Sequence, residues 1–295
     1  MSETGQRKCL VTGARGYLGG CVKKRFAQAG WQVVDLVRSP AEKELAQDSA
    51  RRFALGEEPD AKLLSGAETL VHCAYDFSKR NWREIEAVNV TGTEKLFQKA
   101  REAGVEKLVF ISSMSAFEGC QSNYGRSKLE VEKLLAHQDV LMLRPGLIWG
   151  DVPGGIFGNL VKQMGSSLPQ PLPGGGWPVL YLAHEADLCE VILAHAKVGL
   201  PMGAGPITAA NEEGWRFRDL LGELAKRQGK TARFIPVPWR PLWLGMRLLE
   251  LLPVAARFRS DSLLSLMNQN LNPSFEQARK LGLKFRPFQS GMLKI

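Results

Sequence analysis

Tyr124 and Lys128 stand four positions apart in the stretch Tyr-Gly-Arg-Ser-Lys. In a helix that interval puts both side chains on one face, about one turn apart. A free phenol titrates near ~10, too high for easy proton exchange at neutrality, and a neighbouring ammonium stabilises the tyrosinate. Ser113 follows the apolar run Lys107–Ser112 and precedes Tyr124 by eleven positions. Its hydroxyl can hydrogen-bond a carbonyl oxygen and polarise it. The three residue types suit reduction of a ketone with Tyr124 as the acid, or oxidation of an alcohol with Tyr124 as the base. A Tyr-x-x-x-Lys alone is a weak signal; behind a serine-ended strand it gains weight.

Such chemistry needs a hydride carrier, and the N-terminal segment supplies a place for one. Thr12-Gly13-Ala14-Arg15-Gly16-Tyr17-Leu18-Gly19 has the spacing G-x-x-G-x-x-G between a strand-like and a helix-like segment. Glycines there permit positive φ, let the backbone approach a pyrophosphate and let helix and strand pack. Gly13, Gly16 and Gly19, with Tyr17 and Leu18 opening the helix, are the expected dinucleotide contacts, because helix N-terminal N–H groups favour phosphate. A carboxylate about 20 residues further on would mark NAD. Asp35 lies deeper than Val37, the expected strand end, and Arg38 is the first residue beyond it. A guanidinium suits a 2′-phosphate, and Arg15 could reach the same group. NADP(H) is therefore preferred, with NAD(H) left open. The alternative is that Arg38 is a solvated surface charge.

The elements that must position these residues alternate strand and helix. Strands are expected at Lys8–Thr12, Gln32–Val37, Arg52–Leu55, Thr69–Ala74, Lys107–Ser112 and Val140–Leu143, with helices at Leu18–Ala29, Arg83–Ala103 and Tyr124–Ala136. That alternation predicts an α/β fold: a Rossmann-type doubly wound parallel sheet with a smaller, mostly helical substrate-binding lobe. Residues 1–149 are assigned to the dinucleotide-binding domain, with 179–210 returning to it as strand, helix and strand. Residues 150–178, rich in Gly and Pro with one helix near Ile156–Met164, and 211–295 are assigned to the substrate lobe. The 295 residues carry 44% hydrophobic and 23% charged residues, which excludes a disordered or fibrous chain. The net charge of +9 favours an anionic small-molecule partner; the cations are too scattered for nucleic acid. Five widely spaced cysteines with no C-x-x-C pair predict neither disulfides nor a metal site. Without a signal-like or membrane-spanning stretch, a cytoplasmic location is expected.

In combination these motifs resemble the extended short-chain dehydrogenase/reductases, the group of nucleotide-sugar epimerases, dehydratases and reductases. The matching stretches are TGARGYLGG (12–20), LVHCA (70–74), NVTGTEKL (89–96), KLVFISSMSAFEG (107–119), YGRSK (124–128) and LRPGLIWG (143–150), with weaker matches at LAHEADL (182–188) and ARKLGLKFRPF (278–288). The resemblance implies catalytic roles for Ser113, Tyr124 and Lys128, with Lys128 also holding the nicotinamide ribose. It implies cofactor contacts by Gly13, Gly16, Gly19 and Arg38 and by the backbone around Ala74 and from Pro145 to Ile148. It also implies a homodimer.

Dehydratases of this group follow the catalytic hydroxyl with Asp-Glu; here Met114-Ser115 follows Ser113, which argues against elimination of water. Four-position epimerases mostly retain NAD, so the preference for NADP(H) points to a net reductase. Asn159 resembles the Asn that such enzymes place against a sugar diphosphate; its alternative role is a helix N-cap before Leu160. His184 is expected to pack structurally and His72 to line the cofactor. Trp239–Arg259 is apolar with interspersed arginines, and reads as a lid, a dimer surface or a helix lying on a bilayer. The leading expectation is reduction of a keto group on a nucleotide-activated sugar. The alternatives are an epimerase, a reductase of a small hydrophobic ketone or sterol-like alcohol, and a non-catalytic dinucleotide-binding scaffold or redox sensor.

Overall fold

The computed structural model describes residues 6–166, 168–201, 205–250 and 259–294. The first half of the chain runs β1 (Lys8–Thr12), α1 (Tyr17–Gln28), β2 (Gln32–Val37), α2 (Glu42–Ala46), β3 (Ala50–Arg52), α3 (Ala61–Leu64), β4 (Thr69–His72), α4 (Trp82–Ile85), a π-helical stretch (Glu86–Thr91), α5 (Gly92–Glu102), β5 (Lys107–Ile111), α6 (Asn123–Leu135) and β6 (Val140–Pro145). The second half adds β7 (Leu147–Trp149), α7 (Gly155–Met164), β8 (Gln170–Pro173), β9 (Val179–His184), α8 (Glu185–Val198), β10 (Ile207–Ala209), β11 (Gly214–Arg216), α9 (Phe217–Arg227), β12 (Phe234–Val237), α10 (Trp239–Leu249), α11 (Ser260–Met267) and α12 (Glu276–Lys280).

Seven parallel strands form the main sheet in the order β10-β6-β5-β4-β1-β2-β3. The order reverses between β1 and β4, and in such sheets ligands bind at that crevice, beyond the carboxyl ends of the strands. The apolar runs KCLVT and KLVFI are buried almost throughout because helices cover both faces. On one face Val22 and Phe26 of α1 pack with Leu188, Ile192 and Ala196 of α8. On the other, Leu96, Phe97 and Ala100 of α5 pack with Val131 and Leu135 of α6. A third core gathers Trp149, Phe157, Leu160, Leu172, Leu220 and Phe288 around two small sheets, β11-β9-β7 and β12-β8.

Several expected elements are displaced. The third strand lies at Ala50–Arg52, earlier than Arg52–Leu55, because Asp35, Leu36 and Val37 pair with residues 50–52. The expected helix over 83–103 is interrupted by the π-helical stretch, a feature that hydrophobic spacing does not reveal. The Gly/Pro region holds strand β8 as well as α7. From the 179–210 stretch, α8 and β10 lie on the main sheet, whereas β9 joins a small one. From the tail, Phe275, Ala278 and Phe285 pack into the main-sheet core rather than apart from it.

One buried polar group ties three of the main elements. Glu132 on α6, 4% exposed, accepts from Ser112 Oγ at 2.5 Å and from Arg144 Nε and Nη2 at 2.8 and 2.5 Å. Removing one member of such a pair leaves a charge buried without compensation. Glu132→Ala is expected to lower unfolding free energy by about 3–5 kcal/mol, read by urea denaturation. Loss of under about 1 kcal/mol would mean the pair is exposed in solution.

Candidate active site

The turn after β1 has the shape a dinucleotide needs. Gly13 adopts φ +67°, and a Cβ there would lie 2.9 Å from Ala74 N. A Cβ on Gly19 would lie 2.2 Å from Gly13 O, so the turn closes onto α1 only with glycine at both positions. Gly16 caps α1 without a side-chain hydrogen bond, and the first turn holds no acid. The cradle and the uncapped N–H groups fit a pyrophosphate. The Leu18 side chain is buried in the core, so only its backbone faces the turn. The Tyr17 hydroxyl donates to Val152 O at 3.4 Å; its ring fills the space beside Gly154 and Gly155, and burial and Glu185 raise its phenol.

Beneath the turn runs a hydrogen-bonded chain that the sequence did not announce. Thr12 Oγ1 accepts from Cys73 N and Ala74 N, each at 3.1 Å, and donates to His72 Nδ1 at 2.7 Å. The tautomer then follows: Nε2–H donates to Thr93 Oγ1 at 3.1 Å, and Thr93 donates to Asn89 O at 2.7 Å. Asn89 in turn holds the loop after β4, accepting from Asp76 N and donating to Asp76 O. His72 is fully buried, so it braces β1, β4 and α5 instead of lining the cofactor, and burial lowers it to about 3.

Ser113, Tyr124 and Lys128 come to the carboxyl edge of β5 and the first turns of α6. Gly125 makes this possible: a Cβ there would lie 2.2 Å from Ser115 O, so only glycine lets the loop carrying Ser113 rest on α6. The half-buried Tyr124 ring meets Tyr75 edge-on at 4.9 Å and stacks on Phe77 at 5.8 Å. Burial raises its phenol, and Ser113 beside it pulls the other way. Lys128, 5% exposed, donates to Ile111 O at 2.7 Å, with Nζ 6.0 Å from the Tyr124 ring centroid. Burial lowers the ammonium to about 8. The net shift of the phenol is upward, and the group that lowers it is Ser113 rather than the expected ammonium.

At the far side of the turn, Arg15 donates to Ser39 O at 3.0 Å and to Glu44 Oε2 at 2.9 Å, which brings it over the end of β2 beside the exposed Arg38. Asp35, two residues before the end of β2, is 4% exposed, with Oδ2 bound to Lys23 Nζ at 2.6 Å. Pro145 O, at the end of β6, accepts from Met114 N, and Ile148 on β7 packs against the main core.

The hollow at Tyr124 is lined by Tyr75, Phe77, Arg80, Arg247, Arg259 and Asp261, among others. Asp261 carries a role that sequence reasoning missed: its carboxylate accepts from Asn123 N at 2.7 Å and Tyr124 N at 3.1 Å, capping the helix that carries the tyrosine from 137 positions away. No spacing rule links such distant residues. Asn159 lies mid-helix on the exposed side of α7, whose N-cap is Gly154; it is no cap, and it is not among the residues lining the hollow. His184 caps α8 through Ala186 N and meets Trp149 edge-on at 4.4 Å, a packing role. Of Trp239–Arg259, α10 and Arg259 flank the hollow, and residues 251–258 lie outside the described residues.

Fold and turn together define a dinucleotide-dependent enzyme on a doubly wound sheet. The chain belongs to the NAD dependent epimerase/dehydratase family, which matches residues 9–199, and is an NAD(P)-dependent enzyme of the extended short-chain dehydrogenase/reductase type. It is 26% identical over 234 residues to a ceramide reductase of Caulobacter vibrioides, covering 77% of this chain and 73% of that one. It is 28% identical over 274 residues to a UDP-glucose 4-epimerase of Vibrio cholerae, covering 80% and 81%. Its fold matches MoeE5 in complex with UDP-glucose and NAD, with a TM-score of 0.64 over 88% of this chain and 96% of that one at 20% identity.

The neutral histidines set an acid limb for stability. An unfolded histidine binds a proton near 6.5, whereas His72 and His195 are held down to about 3 and about 4. The unfolded chain therefore takes up more protons as pH falls below 6.5, and stability declines through that window. His72→Gln is expected to flatten the fall of Tm between pH 6.5 and 4, leaving the His195 share. An unchanged slope would place His72 in contact with solvent.

Proposed function

We propose that the protein is an NADP(H)-dependent reductase of a ketone carried on a hydrophobic molecule. The observation that carries the reaction is the meeting of Ser113, Tyr124 and Lys128 at the sheet's carboxyl edge, beside the glycine cradle. Gly13, Gly16, Gly19 and the N–H groups of Tyr17 and Leu18 hold the pyrophosphate, Ala74 and Pro145 to Ile148 border the rest, and Lys128 holds the nicotinamide ribose. The dihydronicotinamide, when bound, supplies hydride. Burial keeps the Tyr124 phenol protonated at neutral pH, the form that gives a proton to the substrate oxygen. Ser113 Oγ donates to the same oxygen, and Lys128, still charged at neutrality, stabilises the tyrosinate left behind.

Preference for the 2′-phosphate is supported by Arg15 reaching the loop beside exposed Arg38, and by the burial of Asp35, whose Oδ2 is held by Lys23. A hydrophobic substrate is supported by the Tyr75 and Phe77 rings against Tyr124 and by the similarity to a ceramide reductase. The second reading, a nucleotide-activated sugar, draws on Lys79, Arg80, Arg247 and Arg259 around the hollow, on the similarity to a UDP-glucose 4-epimerase, and on Asn159 if the sugar diphosphate extends to α7.

NADPH should bind tighter than NADH by fluorescence titration, and Arg38→Ala should reduce that preference about 10- to 100-fold, the worth of one charged hydrogen-bonded contact. Equal affinities in the wild type would remove the 2′-phosphate reading. Tyr124→Phe should keep NADPH affinity and lose turnover by about 100-fold or more. Reduction should decline as pH rises through about 8, where Lys128 discharges, and that limb should vanish in Lys128→Met. Thermal shifts with long-chain keto lipids against nucleoside diphosphates decide the substrate class; stabilisation by the nucleotides alone selects the sugar reading.

A further inference from the structure

α10 has an outer face that none of the other described residues covers. None of its residues is buried, and Leu244, Leu248 and Leu249 are 53%, 57% and 59% exposed. Pro241, Leu244, Gly245 and Leu248 follow the i, i+3, i+4, i+7 spacing and form one apolar stripe along this face. Trp239, Leu242, Trp243 and Met246 turn the opposite way and are half-buried against the protein. Arg240 and Arg247, seven positions apart, border the stripe on one edge, and both are exposed.

The charge on that edge is one-sided. The Arg247 side chain is 58% exposed and meets Glu250 Oε2 only at 4.0 Å; Glu250, 13% exposed, turns inward and accepts from Ser260 N at 2.7 Å and Ser260 Oγ at 2.8 Å. Asp261 is likewise spent on the backbone of Asn123 and Tyr124. Arg80 donates to Glu250 O, and Arg259 to Phe77 O and Lys79 O; these are neutral carbonyls that leave both positive charges uncancelled. An apolar stripe fringed by exposed guanidinium groups, with only the long Arg247–Glu250 pair to offset them, complements a layer of anionic headgroups over acyl chains. Among the described residues no helix is long and apolar enough to cross a membrane.

We propose that α10 docks the protein on the surface of an anionic lipid bilayer, with Leu244, Leu248 and Leu249 at the acyl boundary and Arg240 and Arg247 among the headgroups. Docked in this way, the hollow at Tyr124, which Arg247 also lines, opens beside the membrane. The surface stands on its own geometry; the hydrophobic-substrate reading only gives it a purpose, and the two fail separately.

Flotation of the full chain with vesicles tests it. Vesicles of phosphatidylglycerol and phosphatidylcholine should carry the protein up, phosphatidylcholine alone should not, and high salt should release it. Leu244→Glu/Leu248→Glu and, separately, Arg240→Glu should each weaken binding by about tenfold or more while Tm and NADPH affinity stay at wild-type values. No flotation of the wild type, or flotation that the variants leave unchanged, overturns the proposal. So does a doubling of mass in sedimentation that Leu244→Glu/Leu248→Glu abolishes, because the stripe would then belong to a second copy. Flotation with no shift by any keto lipid would keep the docking surface and refute the hydrophobic substrate.

Discussion

The buried carboxylate of Glu132 is the constraint from which the candidate active site follows. It joins the end of β5 through Ser112, β6 through Arg144, and α6 on which it stands. Ser113 is the residue after Ser112, and Tyr124 and Lys128 lie about two turns and one turn before Glu132 on α6. Their separation is thus set by a charged, hydrogen-bonded brace with little freedom to relax. Gly125 completes it by letting the Ser113 loop touch the helix backbone.

Two buried bases illustrate how the same interior serves different ends. His72 and Lys128 both lie near the carboxyl ends of the sheet strands, and burial disfavours the charged form of each. His72 has a hydroxyl on either side of its ring and is complete as a neutral group, so it acts as a strut between β1, β4 and α5. Lys128 starts from an ordinary value near 10.5, so burial brings it only to about 8 and it keeps its charge at neutrality. The difference lies in intrinsic basicity rather than in depth.

The outer wall of the site comes from the chain's last third. Asp261 accepts from the backbone of the Tyr124 helix, Arg259 donates to the loop after β4, and Glu250 accepts from Ser260 at the start of α11. The acids are consumed in this way and the cations remain on the rim, which gives the wall a polarity that net charge does not foretell.

The reading of residues alone reached the parallel sheet, because buried parallel strands require continuous apolar runs such as KCLVT and KLVFI. It also reached the glycine turn and the Tyr-x-x-x-Lys pair, because both are local: their chemistry depends on neighbours within one or two turns. It misplaced β3 and overlooked the π-helical stretch, β8 and β12, since short edge strands and a local widening of a helix are decided by what they pack against. It left Asn159 between a substrate contact and a helix N-cap, and the place of that residue in mid-α7 excludes the cap. The caps and struts at Asp261, Glu132 and His72 join residues from 12 to 138 positions apart. Such pairings leave no periodic trace, because a carboxylate or imidazole finds its partner only when folding has brought distant strands and helices together. Local spacing therefore determined the chemistry this chain can attempt, and only the tertiary packing decided which charges are buried, which are paired, and which face the substrate.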